Sequence, residues 1–268
     1  MRTNFCELKL SYLKYVSIRY KSIGLEEPSG VALTKEKDAL WVVSDDKKRI
    51  FQVDFDGALR PEFTIKTKKK ELEGITLDDH GTLYTISEAK NEIIVFDADG
   101  TFKKQKKLKD IEGYCAVSEY FKGGSENKGL EGIAWGSRSL FVLKESDPGL
   151  LIEISKDLKT ICNHRILNTG NGFENSNTDS CELDYSDICY DPLRQLFWIL
   201  SDKAKCVFLY SWEKDQVVTH FPLTYKDKKG KQKKVKQAEG VTYNPDDQCL
   251  YIVSDKEARL YVFEVSTP

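Results

Sequence analysis

Apolar and polar positions along this chain fall into one phrase that is written five times. Its fullest copy is QAEGVTYNPDDQCLYIVSD, residues 237–255. An acidic residue and a glycine (Glu239, Gly240) open it, and a short β-type run, a Pro-Asp-Asp turn and a second apolar run ending on Ser254 and Asp255 follow. Ser29-Gly30 leads to LWVVSD (40–45), Glu73-Gly74 to LYTISE (83–88), Glu131-Gly132 to LFVLKE (140–145), and Ser186-Asp187 to LFWILSD (196–202). The copies start near residues 27, 71, 129, 184 and 237. Repeats of roughly 45 to 55 residues are the signature of stacked sheets or propeller blades.

Each copy divides into four β segments. The second (LWVV, LYTI, LFVL, LFWIL, LYIV) is apolar without alternation, which predicts a strand buried on both faces. The third comprises IFQVDFDG (50–57), IIVFDADG (93–100), LLIEI (150–154), VFLYSW (207–212) and LYVFEV (260–265). The fourth is more polar: EFTIKTK (62–68), TFKKQKKL (101–108), TICNHRIL (160–167) and VVTHFPLTY (217–225). The last copy has no fourth segment. Residues 11–23, ahead of the first copy, alternate with period two at Val16, Ile18 and Tyr20; Tyr12 is in phase and Lys14 interrupts. Pairing that strand with the last copy leaves no open sheet edge. The expectation is an all-β fold, a five-bladed β-propeller of four-stranded blades closed by its N-terminal strand, with residues 1–268 as a single domain.

Three connections are long: 109–128, with a short helix around 116–121; 168–184; and the basic 226–236. All join a fourth strand to the next first strand, so they gather on the face that bears the Glu-Gly and Ser-Asp elements. That face is where binding is expected.

First strands line a propeller's channel, so Glu73, Glu131 and Glu239 should converge at one mouth, with Ser29 and Ser186 in the equivalent places. Asp45, Glu88, Glu145, Asp202 and Asp255 end the second strands and form a wider acidic ring on the same face. Converging carboxylates repel unless they are protonated or bridged by a cation. A donor set of oxygens without paired His or Cys suits Ca²⁺, and Mg²⁺ less well. Against this stands the alternative that each carboxylate binds backbone N–H groups of a neighbouring blade, with Lys144 offsetting part of the charge beside Glu145.

Composition narrows the partners. With 41 basic and 43 acidic residues the net charge is −2, which gives no reason to expect nucleic acid or an anionic membrane. The Lys-rich runs at 66–70 and 226–236 lack interleaved aromatics and read as solvated loops. Seven cysteines without a CxxC pair argue against a zinc ribbon. His80, His164 and His220 fall in a turn and two outer strands, which disfavours a Ser-His-Asp triad. The first twenty residues have no signal-peptide run, and no stretch reaches the ~20 apolar residues of a membrane span. A soluble, monomeric, cytoplasmic chain is expected.

GLEGIAW with LFVLKESDPGLLIEI (129–154), DYSDICYDP with LFWILSD (184–202), and QAEGVTYNPDDQCLYIVSD (237–255) resemble the SdiA-regulated, YjiK-like propeller family. ELEGIT (71–76) and EPSGVAL (27–33) fit its first two blades, so the resemblance covers about 25–265. It implies a five-bladed propeller with a calcium ion in the channel, a biochemical role that is unsettled, and relatives that can be exported. Asp187 departs from the pattern, because the family usually has a small residue there. It either adds a charge to a site made by Glu73, Glu131, Glu239 and Ser186, or changes which carboxylate binds. Three functions stay open: a Ca²⁺-stabilised module binding a small molecule or protein, a Ca²⁺-dependent esterase or phosphatase of the lactonase or phytase kind, and a structural propeller with an empty channel.

Overall fold

The computed structural model of this protein describes residues 8–44, 47–68, 71–122, 129–175, 183–227 and 229–267. After an N-terminal strand, β1 (Lys9–Ser17), the first blade is β2 (Pro28–Leu33), β3 (Leu40–Ser44), β4 (Arg49–Val53) and β5 (Ile65–Lys66). The second is β6 (Leu72–Leu77), β7 (Leu83–Ser87), β8 (Glu92–Phe96) and β9 (Phe102–Lys107). The third is β10 (Leu130–Trp135), β11 (Leu140–Lys144), β12 (Gly149–Ile154) and β13 (Ile161–Leu167). The fourth is β14 (Asp187–Asp191), β15 (Leu196–Ser201), β16 (Cys206–Ser211) and β17 (Gln216–Pro222). A hairpin follows, β18 (Thr224–Lys226) and β19 (Gln232–Lys234), before β20 (Ala238–Asn244), β21 (Cys249–Ser254) and β22 (Arg259–Ser266). Each blade is a four-stranded antiparallel sheet, and β1 completes the fifth in the order β1-β22-β21-β20.

The second strands are buried along their whole length, as their unbroken apolarity predicts. Five apolar clusters fill the gaps between neighbouring sheets, one for each junction around the ring. The core is therefore a set of inter-blade layers, and each blade is held by the two beside it.

Closure follows the expected pairing, with one difference of phase. β1 runs antiparallel to β22 from Lys9 opposite Ser266 to Ser17 opposite Arg259. A bulge between Tyr12 and Lys14 leaves Leu13 exposed and shifts the alternation. Tyr12 and Tyr15 consequently pack toward the fourth blade, whereas Val16 and Ile18 pack toward the first. Tyr12 and Val16 share a parity in the sequence but not a face in the fold. The strand also ends at Ser17, and Tyr20 pairs with Leu25 in a turn.

Three local expectations are revised. The first blade's fourth strand shrinks to Ile65–Lys66, preceded by a 3₁₀ turn at Pro61–Phe63, because Pro61 has no N–H to give a ladder. The short helix near 116–121 is a pair of 3₁₀ turns, Tyr114–Ala116 and Ser118–Phe121. Part of the basic connection 226–236 forms the β18–β19 hairpin. Among the described residues no helix is long and apolar enough to cross a membrane.

Removing residues 1–19 is expected to expose β22 as a bare edge and to uncover the pockets filled by Ile18, Val16, Tyr12 and Tyr15. A loss on the order of 5 kcal/mol, or outright aggregation, should appear in denaturant unfolding. An unchanged midpoint would contradict closure by β1.

Candidate functional site

The first strands β2, β6, β10, β14 and β20 stand around the channel, and near their starts they come very close together. A Cβ at Gly30 would lie 2.0 Å from the Glu73 carbonyl oxygen, and one at Gly74 would lie 2.6 Å from that of Glu131. Gly132 and Gly240 face the next blade's backbone at similar range. This explains the glycine of the repeated phrase: no side chain fits where one inner strand meets the next. In the fourth blade the equivalent residue is Asp187. Its side chain is accommodated because Oδ2 accepts the Val241 amide of the fifth blade at 2.9 Å. Asp187 is only 1% exposed, and among the described residues its Oδ1 has no hydrogen-bond partner. Burial holds its carboxyl well above the usual range, although the amides of Val241, Ile188 and Ile133 act in the opposite sense.

One residue before this constriction lie Glu73, Glu131 and Glu239, each partly buried, with Ser29 and Ser186 in the other two blades. Glu131 is pushed well up by burial, and then by the charges of Glu73, Glu88, Glu145 and Glu239. Glu239 is pushed up to about 8 by burial, with Asp202, Asp184 and Asp255 adding to the effect and the Ser186 hydroxyl opposing it. Glu131 thus feels the charges of Glu73 and Glu239 although the three come from different blades. Among the described residues no three His, Cys, Asp or Glu side chains stand close enough together to hold a metal ion.

The wider ring is built differently, and two of its members clamp blades together. Glu88 Oε1 accepts the Gly129 amide at 3.2 Å, and Asp202 Oδ1 accepts the Ala238 amide at 3.0 Å and the Lys205 ammonium at 2.5 Å. Asp255 Oδ2 takes the Gln237 side-chain amide at 3.4 Å. Glu145 accepts the Ser146 hydroxyl at 3.3 Å and is raised by burial, Asp184 and Glu88. The cation acting on it is Lys203. Lys144 donates to the carbonyls of Ser146 and Pro148, which form the turn beyond its own strand. Asp45 lies outside the described residues.

Two features escaped the sequence reading. Asp184 is a further buried acid at this mouth, held by the Ser201 hydroxyl at 2.9 Å and the Lys203 amide at 2.8 Å. It stands two residues before Ser186, where Glu27 and Glu71 hold the equivalent places in the first two copies, and that recurrence was the signal that could have found it. The second is a cavity of about 720 Å³ at the other end of the channel, lined by residues from all five first strands or the turns after them. Its lining residues are variable from blade to blade, so no motif announced it.

A family model described as SdiA-regulated matches residues 100–264, and one described as phytase-like, esterase-like activity of phytase, matches 23–149. No curated protein matches the chain. Among solved structures, glutaminyl cyclase from Myxococcus xanthus is similar at TM-score 0.63 and 10% identity, covering 97% of each chain. The β-propeller domain of Cps50 (Swd1) from Myceliophteria thermophila is similar at TM-score 0.54 and 8% identity, over 96% of this chain and 100% of that one. At these identities the likeness is one of fold.

The raised Glu239 carboxyl makes stability depend on pH. Between its ordinary range near 4.5 and about 8 the folded state holds a proton that the unfolded state has lost. Stability in chelator should therefore fall as pH rises through that window, by up to about 1.4 kcal/mol per unit for this group. Glu239→Gln should flatten the slope in pH-dependent chemical denaturation. An equally steep slope in the variant would mean that other groups carry it.

Proposed function

The chain belongs to the SdiA-regulated family, and from that premise we propose that it is a calcium-binding propeller that serves as a binding module at its carboxylate mouth. The observation supporting this reading is the position of Glu131, whose carboxyl is raised by burial and by the charges of Glu73 and Glu239 from two other blades. A cation there would let all three ionise. The donor chemistry fits a hard ion, since the set is all oxygen: three carboxylates, the Ser186 hydroxyl, and the partnerless Oδ1 of buried Asp187. Glu73, Glu131 and Glu239 would hold the ion after turning their side chains toward one another, and Asp187 would lie beneath them. Glu88 and Asp202 are already spent on neighbouring amides, so they would add negative potential without coordinating. A ligand reaching the ion from outside, a small molecule or a protein, would meet the connections that join fourth strands to first strands.

A second reading is favoured by the match to esterase-like activity of phytase over 23–149. Here the same ion would polarise an ester or phosphate oxygen, with Glu145 positioned at the rim to take up a proton because its carboxyl is already raised. Turnover of p-nitrophenyl acetate or p-nitrophenyl phosphate that requires Ca²⁺ and is lost in Glu145→Gln separates this reading from simple binding.

Ion binding to the folded state alone stabilises it by RT ln(1 + [L]/Kd), about 2.7 kcal/mol at a hundredfold excess over Kd. Calorimetry should show the melting temperature falling in chelator and recovering with Ca²⁺. Glu131→Gln should weaken the response and, with repulsion relieved, be at least as stable as the parent in chelator. A parent protein indifferent to calcium would sink the proposal.

A further inference from the structure

The cavity at the opposite mouth is separated from the carboxylates by the glycine layer and Asp187, so it is a site of its own. Its wall is formed by Leu33, Leu77, Trp135, Tyr190 and Tyr243, the residues that occupy one equivalent position in the five first strands. At this level the inner strands turn backbone N–H groups toward the neighbouring blade, and most are capped by a side chain. Thr242 Oγ1 accepts the Leu33 amide at 3.3 Å, Thr76 Oγ1 accepts the Trp135 amide at 3.1 Å, and the Tyr243 amide points to the Cys189 sulfur. At the two remaining junctions the capping position is alanine, Ala32 before Leu77 and Ala134 before Tyr190. The repeat therefore leaves the Leu77 and Tyr190 amides without an acceptor from the neighbouring first strand. Both residues line the cavity.

Buried backbone donors almost always find an acceptor. At the rim, Lys37 is engaged by Asp246 at 2.7 Å, and Asp78 is engaged by the amides of its own turn. Lys35 and Arg138 are exposed cations of the same cavity, opposed there by Asp79. Apolar and aromatic walls, an uncapped donor from a half-buried residue at each of two junctions and cations at the rim describe a site for an organic acid. We propose that this mouth binds a small carboxylate-bearing ligand with an apolar body. The carboxylate sits on one of these amides, Leu77 at the junction of the first and second blades or Tyr190 at that of the third and fourth, and the body lies along the Trp135, Tyr190 and Tyr243 wall.

Phenylacetate, hexanoate and mandelate serve as probes, with 2-phenylethanol as the uncharged control. They are titrated to millimolar concentration into ¹⁵N-labelled full-length protein, in chelator and again in calcium. Saturable shifts at the Leu77 amide, the Tyr190 amide or each of them are expected with at least one carboxylate in both conditions, at least tenfold weaker or absent with the alcohol. Ala32→Ser and Ala134→Ser supply the acceptor that the other blades already have. The double variant should keep or raise its melting temperature and bind the carboxylate at least tenfold more weakly, a charge-assisted hydrogen bond having been pre-empted. Should the double variant be unstable, Arg138→Ala, at an exposed position, provides the second test with an expected weakening of severalfold. The proposal is overturned if no carboxylate shifts those amides, if the alcohol binds equally well, or if the serine variants fold and bind unchanged.

Discussion

The close meeting of the five first strands governs what else this molecule can do. Where Gly30 faces the Glu73 carbonyl there is no room for a side-chain carbon, so the channel is pinched at one level by backbone, with Asp187 the one side chain placed there. Five sheets can then pack face to face outside the pinch, with an apolar cluster in each gap. The same pinch divides the channel into two mouths of different character. On one side are glutamates, and on the other a cavity of aromatic and aliphatic residues.

Asp187 is the one acidic residue placed in that pinch, and it shows how the ring handles charge. A carboxylate cannot be taken out of water cheaply, so it either finds donors or stays neutral. Asp187 has one amide at hydrogen-bond distance and remains raised; Glu88 and Asp202, farther from the axis, have theirs from the next blade and are used as clamps. Glu131 and Glu239 stand between these cases. They are largely buried and crowded by other acids, which raises both carboxyls, and for Glu239 the Ser186 hydroxyl offsets only part of that rise.

Much of the architecture was legible in the chain. The fivefold phrase, the unbroken apolar second strands and the missing last strand specify five four-stranded blades and their closure, because period and burial leave direct marks on residue order. The glycine of four of the phrases lies at the level of closest approach, a meaning the structure supplied. Where the reading went astray the cause was local geometry. A bulge at Leu13 reversed the phase of Tyr12 relative to Val16, and Pro61 shortened the fourth strand of the first blade.

The candidate site was legible only in part. Residue order by itself determined which carboxylates and hydroxyls share a level of the ring: Glu73, Glu131, Glu239, Ser29 and Ser186 at one, Asp187 among the glycines at the next. Only the tertiary structure decided which acids are spent and which are left over. That depends on amides 36, 41 and 54 residues away, at Ala238 for Asp202, Gly129 for Glu88 and Val241 for Asp187. The cavity beyond the pinch was hidden for the same reason. Its donors are backbone groups, and whether each is capped is settled by a side chain from the adjoining blade, so no stretch of sequence contains both halves of the contact.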